Sequence, residues 1–386
     1  MKKSLKFPDG FYWGAATASY QVEGGIYNND WARAAKTGKV PEAGSATDHY
    51  NRYEEDFDLA KTLGHNAQRI SIEWSRIEPR EGEFNQAEIE HYRKVLMAMI
   101  RRGMKPFVTL WHFTLPEWFV DRGGFEARDS AKIFARYSEF VVNELGDLCK
   151  DWATMNEPMV FVMNGYIRHN WPPFKINPIA SEIVFINLVR AHIQTYKKIK
   201  KIDKTIRVSI VKDNFWFTSD WKPWNLIAKW ASNWYWNHRI MILTAPFTDS
   251  IGLNFYFAQN FGKQKKFEKN DMGWDLNAEG IYHVLKDLKI YRKPIYISEA
   301  GIADREDKHR AEYLKDLVHW MHHAIEDGVD VRGFMYWSLL DNYEWSHGYT
   351  QNFGLIKVDS KTKERKVRKS AYIYKKICDD NALTLE

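Results

Sequence analysis

Eight short apolar runs of β-type composition recur along this chain, and most are followed by a stretch with helical periodicity. The runs are Phe11–Ala18, Ala67–Trp74, Pro106–His112, Cys149–Asn156, Arg207–Lys212, Ser250–Tyr256, Pro294–Glu299 and Gly333–Leu339. Between or after them lie amphipathic stretches at Tyr53–Leu63, Ala87–Arg101, Ala131–Leu145, Ile183–Ile199, Ala278–Leu288, Ala311–Ile325 and Lys369–Ile377. Strands that alternate with helices make a parallel sheet, and eight such units close into a (β/α)8 barrel. Two smaller doubly wound domains are the competing architecture, and they need a linker near the middle. The polar region Asn170–Pro178 is too short and too aromatic to serve. The expectation is an α/β fold: one TIM barrel, residues 1–386 forming a single catalytic domain.

In such a barrel the chemistry sits at the C-terminal ends of the strands, so each strand end can be read for function. Strand four runs into Thr154-Met155-Asn156-Glu157-Pro158, which sets Glu157 at the tip of a strand just before a proline. Strand seven runs into Ser298-Glu299-Ala300-Gly301. Two carboxylates that each close a buried strand are the expected apparatus for cleaving a glycosidic bond. Around them the strand ends carry Gln21, Arg69, His112, Asn156, Tyr256, Trp337, Glu344 and Trp345. A glutamine offers a donor and an acceptor to vicinal hydroxyls. An arginine pointing into a barrel needs an anion, and Glu299 is the candidate. Any one of these side chains, taken alone, is as readily a structural group. Polar groups at seven of eight strand ends on one face point to a site.

Composition narrows the rest. Aromatic residues make up 15% of the chain, with 17 Trp, an excess that suits the stacking of sugar-ring faces. The cluster Phe215, Trp216, Trp221, Trp224, Trp230, Trp234 and Trp236 is expected to contribute rings to an open aglycone cleft. The net charge of +6 is mild, and the basic runs near 197–204 and 361–376 lack interleaved aromatics, so no nucleic-acid partner is expected. Two cysteines, Cys149 and Cys378, exclude a disulfide framework and fit a reducing, cytoplasmic setting. No apolar run is long enough to span a bilayer, so no membrane partner is expected either. No metal and no cofactor is implied: the helix with His319, His322 and His323 reads as solvated or packing residues.

Over nearly its whole length the chain resembles the family 1 glycoside hydrolases, the β-glucosidase family. The resemblance is carried by Phe11-Tyr12-Trp13-Gly14 through Gly24, by Thr-Met-Asn-Glu-Pro and by Ile-Ser-Glu-Ala-Gly. It implies a retaining β-glycosidase, with Glu157 as acid/base and Glu299 as nucleophile, about 5–5.5 Å apart. It also implies Arg69 and Tyr256 as partners of the nucleophile. Gln21, His112, Asn156, Glu344 and Trp345 would hold the sugar hydroxyls, with Trp337 as the floor of the sugar site. The substrate would be a small-molecule β-glycoside or oligosaccharide of gluco or related galacto or fuco configuration. Oligomeric state is left open. Departures are Ala300 for the usual Asn, Ser298 for Thr, Asn352 where relatives commonly have Arg, and a short segment ahead of strand six. Where relatives that cleave phosphorylated sugars carry a phosphate clamp, this chain has Asn342-Tyr343-Glu344-Trp345, so an unphosphorylated sugar is expected. A transglycosylase on the same site and a silent sugar-binding protein are the alternatives.

Overall fold

A computed structural model describes residues 4–263 and 267–385. Eight parallel strands close a barrel: β1 Tyr12–Ala16, β2 Ala67–Ser71, β3 Lys105–Thr109, β4 Asp151–Asn156, β5 Arg207–Asp213, β6 Ser250–Phe255, β7 Ile295–Ala300 and β8 Val331–Trp337. Each pairs in parallel with its neighbours, and β8 returns to β1 through Gly333↔Tyr12 and Trp337↔Ala16. Every residue of β2, β4, β6 and β7 is buried, as expected of strands covered by helices on one side and barrel interior on the other. Gly14 is required where β1 and β2 converge, because a Cβ there would stand 2.1 Å from the Ala67 carbonyl oxygen.

The helices around the barrel include α1 His49–Thr62, α2 Gln86–Arg101, α3 Ser130–Leu145, α4 Pro178–Ile202, α5 Pro223–Ser232, α6 Arg239–Thr244, α7 Gly280–Leu288, α8 Arg310–Glu326 and α9 Lys369–Asp380. Seven of them overlie the amphipathic stretches of the sequence, while α5 and α6 form where no helix is expected. In α2 the buried Ile89, Tyr92, Val95, Leu96 and Met99 recur at three- and four-residue spacing, and the Asn85 side chain caps the first turn by accepting from the Ala87 amide. Asn177 caps α4 in the same way through the Ala180 amide, with Pro178 at the first helical position.

At the N-terminal end of the barrel, Ser4–Lys6 pairs antiparallel with Ala382–Thr384, and Trp13 Nε1 donates to Asn381 Oδ1 at 2.9 Å. Tyr12, Phe107 and Tyr296 fill the interior at that end, with ring centroids 5.1 to 6.4 Å apart. The opposite end is left to polar side chains. No helix of the described residues is long and apolar enough to cross a membrane.

The strand bounds differ from the sequence reading in informative places. The second apolar run was expected to reach Trp74, but β2 stops at Ser71, and Trp74–Ile77 forms a helical turn. The fifth was expected to stop at Lys212, but β5 continues to Asp213.

Candidate active site

Glu157 leaves β4 with φ at 42°, a left-handed conformation uncommon for a residue with a Cβ. Pro158 then starts the helix Pro158–Tyr166 at once. The Glu157 amide donates to the Val211 carbonyl at 2.9 Å, which ties the β4 tip to β5. The kink turns the carboxyl into a cavity at the barrel mouth. Its wall includes Gln21, His112, Asn156, Glu157, Asp213, Tyr256, Glu299, Trp337, Glu344 and Trp345.

Glu299, the fifth residue of β7, has both carboxylate oxygens engaged. Arg69 Nη1 donates to Oε1 in a short, buried ion pair, and the Tyr256 hydroxyl donates to Oε2 at 2.6 Å. Arg69 is itself fixed inside the barrel. Its Nε donates to Thr109 Oγ1 at 3.1 Å and its Nη2 to Asn156 Oδ1 at 2.8 Å. Asn156 spends its carbonyl on Arg69, so its Nδ2 faces the cavity side, where it lies 3.3 Å from His112 Nε2. Burial, helped by the Arg69 charge, drives the His112 imidazole well below its ordinary pKa, so the ring is neutral.

Glu157 lives in different surroundings. Among the described residues its one side-chain hydrogen-bond partner is Asn254, whose Nδ2 donates to Oε1 at 2.6 Å. The Ser298 hydroxyl donates to Asn254 Oδ1 at 2.7 Å, which fixes the orientation of that amide. Burial raises the Glu157 pKa well above the usual carboxylate range. The charges of Asp213 and Glu299 push the same way, against the Asn254 bond and the more distant Arg69.

Gln21, buried after β1, donates from Nε2 to Asn342 Oδ1 and the Tyr343 carbonyl, both at 2.9 Å, and to Glu344 Oε2 at 3.3 Å. Its Oε1 is buried and accepts no hydrogen bond from the described residues. Burial pushes Glu344 up to about 8, with the Glu299 charge adding to it and bonds from Trp337 and Gln21 pulling down. The Trp337 and Trp345 rings lie nearly parallel to His112, with centroids 6.1 and 6.0 Å away. Nine of the ten residues that the sequence places at the site therefore line one cavity, and the tenth, Arg69, bonds to two of them, Glu299 and Asn156.

Several wall residues escaped the sequence reading. Asp213 lines the cavity with its carboxyl buried and Oδ1 unpartnered. Its neighbour Lys212 points the other way, toward Asn214 Oδ1 and the Asn237 carbonyl. Asn254 and Ser298 act behind Glu157, and Met272, Trp274 and Phe353 add wall from outside the strands. The signal for Asp213 was present in the strand alternation, which turns residue 213 inward once 212 is known to face out. Of the aromatic cluster expected at an aglycone cleft, Phe215 and Trp236 reach the cavity, their rings stacked at 4.6 Å. Trp216 packs on His283 instead, at 4.2 Å, and Trp221, Trp224, Trp230 and Trp234 are exposed to solvent. Among the described residues no three His, Cys, Asp or Glu side chains gather as a metal-ligand set.

The profile of glycosyl hydrolase family 1 matches residues 3–225 and 226–383. This chain belongs to glycosyl hydrolase family 1. It is 32% identical to beta-glucosidase A of Acetivibrio thermocellus, over 98% of this chain and 99% of that protein. It is 31% identical to a beta-galactosidase of Sulfolobus acidocaldarius, over 99% of this chain and 97% of that protein. Among solved structures it superposes on a beta-glycosidase from Pyrococcus horikoshii with a TM-score of 0.93 at 36% identity, covering 99% of this chain and 97% of the other. A family 1 β-glucosidase from Thermotoga maritima gives the same TM-score at 31% identity, over 100% of both chains. The family member described here is a retaining β-glycosidase, a hydrolase of O-glycosyl bonds. The alignment with the Acetivibrio enzyme runs over 444 positions against 386 residues here, so that relative carries segments this chain lacks.

Proposed function

We propose that Glu299 is the nucleophile and Glu157 the acid/base, within one catalytic unit that acts on unphosphorylated β-glucosides or closely related β-galactosides and β-fucosides. The observation that carries the assignment is the asymmetry between the two carboxyls. Glu299 is held at both oxygens by Arg69 and Tyr256, aimed and unable to swing away. Glu157 has one amide donor and a pKa driven up by burial and anions, the state in which a carboxyl keeps a proton to give.

The steps follow. Glu299 attacks the anomeric carbon while Glu157 delivers its proton to the departing glycosidic oxygen. The sugar is now an ester of Glu299, and Glu157 is ionised. Glu157 then takes a proton from water as the water attacks the same carbon, which returns the original anomer and restores both groups. Asn156, with its Nδ2 on the cavity side, is the donor for the 2-hydroxyl. Gln21, His112 and Glu344 with Trp345 serve the other hydroxyls, and Trp337 is the floor under the ring. The side-chain partners of Glu344 are Gln21 and Trp337, neither of them a cation, so a sugar phosphate beside Glu344 would meet a carboxyl rather than a paired cation. The unpaired cysteines, one buried, fit a cytoplasmic setting.

Trapping with a slowly hydrolysed 2-fluoro glycoside tests the assignment, because fluorine at C2 destabilises the oxocarbenium-like transition state and lets the ester accumulate. Peptide mapping is expected to find the sugar on Glu299. A label on Glu157 or Glu344 would overturn the roles.

A further inference from the structure

Helix α5 is mounted with its apolar side outward. With about 100° of turn per residue, Trp224, Leu226, Ile227 and Trp230 share one arc of the helix, and Asn225, Ala228, Lys229 and Ser232 share the other. A surface helix buries its apolar arc against the core. Here Asn225, Ala228 and Ser232 are the half-buried residues, and the Asn225 amide is tied to Asp220 Oδ1 at 2.7 Å. The apolar arc faces solvent: Trp224 is 64%, Ile227 66% and Trp230 70% exposed, and Trp221 just before the helix is 91% exposed. No residue of α5 is buried. Packing on the barrel therefore does not explain this run of side chains, and a contiguous exposed apolar face of this kind marks a contact surface.

The position and charge of the face indicate its partner. The helix packs on Trp216–Ser219 and its parallel partner Ala258–Phe261, two short strands that directly follow the C-terminal ends of β5 and β6. In sequence it falls between Phe215 and Trp236 of the cavity wall. It therefore stands at the mouth end of the barrel. From Trp221 to His238 the chain carries Lys222 and Lys229 and no acidic residue, and Lys222 Nζ lies 5.8 Å from the Trp224 ring centroid. Tryptophan flanked by lysine is the composition of helices that lie in the headgroup layer of a bilayer, indoles at the boundary and ammonium groups among phosphates. A second copy of the chain fits less well. It would bring lysines against lysines, and lysine is depleted from protein–protein interfaces.

We infer that α5, with Trp221 and the flanking Lys222 and Lys229, seats the enzyme on an anionic phospholipid surface with the barrel mouth beside the bilayer. This departs from the sequence expectation of no membrane partner. That expectation rested on the lack of a long apolar run, which bears on crossing a bilayer and not on lying against one.

Co-sedimentation of the full chain with phosphatidylcholine vesicles, with and without phosphatidylglycerol, tests the inference. Binding is expected only to the anionic vesicles and should weaken with salt. Replacing Lys222→Gln or Lys229→Gln should lower it roughly 5-fold each. The pair Trp224→Ser and Trp230→Ser should lower it roughly 10-fold or more. Hydrolysis of a soluble aryl β-glycoside should be unchanged in these variants, which shows that they are folded and separates this test from that of the catalytic roles. No binding to anionic vesicles at low salt, or equal binding by the tryptophan variant, overturns the inference. So does light scattering that finds a vesicle-free dimer which the tryptophan variant converts to monomer, because the face would then belong to a second copy.

Discussion

The two catalytic-face glutamates stand on strands of one barrel, yet their surroundings are opposite in kind. Around Glu299 the structure supplies fixed donors: a guanidinium anchored by Thr109 and Asn156, and a tyrosine hydroxyl. Around Glu157 it supplies a single amide and a second carboxyl, Asp213, at the tip of the next strand. The first arrangement fixes a carboxylate in place. The second makes ionisation costly. The contrast teaches that the division of labour proposed for them would be set by neighbours, since the two side chains are chemically identical.

Removing the fixed carboxylate is the harshest way to probe this contrast. Glu299→Gly should cut turnover on the order of 10⁴-fold or more, because no other group can form the covalent ester. Azide should restore part of the activity by filling the vacated space, and its product should carry the inverted configuration, since one displacement replaces two. An azide product with retained configuration would mean that Glu299 is not the nucleophile.

Removing the proton donor is milder and more selective. Glu157→Gln should lower turnover by roughly 10²–10⁴ for poor leaving groups, and much less for leaving groups that depart without protonation. Rates measured across a series of aryl glycosides decide the matter. Equal losses across the series would take Glu157 out of the acid role.

Loosening the hold on Glu299 should cost less again. Tyr256→Phe removes one hydrogen bond to a buried carboxylate and leaves Arg69 in place, so kcat should fall about 10- to 100-fold. The loss should be similar for good and poor leaving groups, because Tyr256 has no part in protonating the aglycone. A loss confined to poor leaving groups would merge the two environments that the structure separates.

The sequence disclosed the barrel because its strands are buried on both sides and so are written as apolar runs at each of the eight positions. It drew attention to Glu157 and Glu299 because each closes such a run, Glu157 just before Pro158 and Glu299 two residues before Gly301. What it concealed lies where a residue's type misleads about its place. Asp213 reads as the start of a loop after a strand that ends at Lys212, and only the pairing of Asp213 with Asn254 of β6 shows the strand going on. Ser298 stands in the sequence only as a departure from threonine, and nothing local shows that its hydroxyl, which a threonine also carries, sets the Asn254 amide that meets Glu157. The tryptophans of 221–234 were read with Phe215 and Trp236 as one aromatic group. The direction of each ring depends on how α5 is mounted, which no local pattern records.

The smallest expected effect concerns Asp213, and it tests the Glu157 side alone. Asp213 is buried beside Glu157 with one oxygen unpartnered, and Lys212 next to it faces away. Burial and the Glu299 charge raise its own pKa well above the usual range, against the pull of Lys212, so the pair Glu157 and Asp213 gives up its protons in two linked steps. An anion at 213 makes it harder for Glu157 to ionise. Asp213→Asn removes that anion and keeps the shape, so Glu157 should lose its proton at lower pH. In the proposed roles Glu157 must be protonated to cleave poor leaving groups, so the alkaline limb of kcat/KM should move toward lower pH. At the optimum, turnover should change less than in Tyr256→Phe. In the Glu157→Gln background the same substitution should leave the limb unmoved, because the titrating acid is gone. The charges facing Glu157 are Asp213 from β5, Glu299 from β7 and Arg69 from β2, and this substitution leaves the latter two in place. An alkaline limb that stays where it was in the single variant would show that Asp213 is already protonated throughout the working range, and that burial alone holds the proton on Glu157.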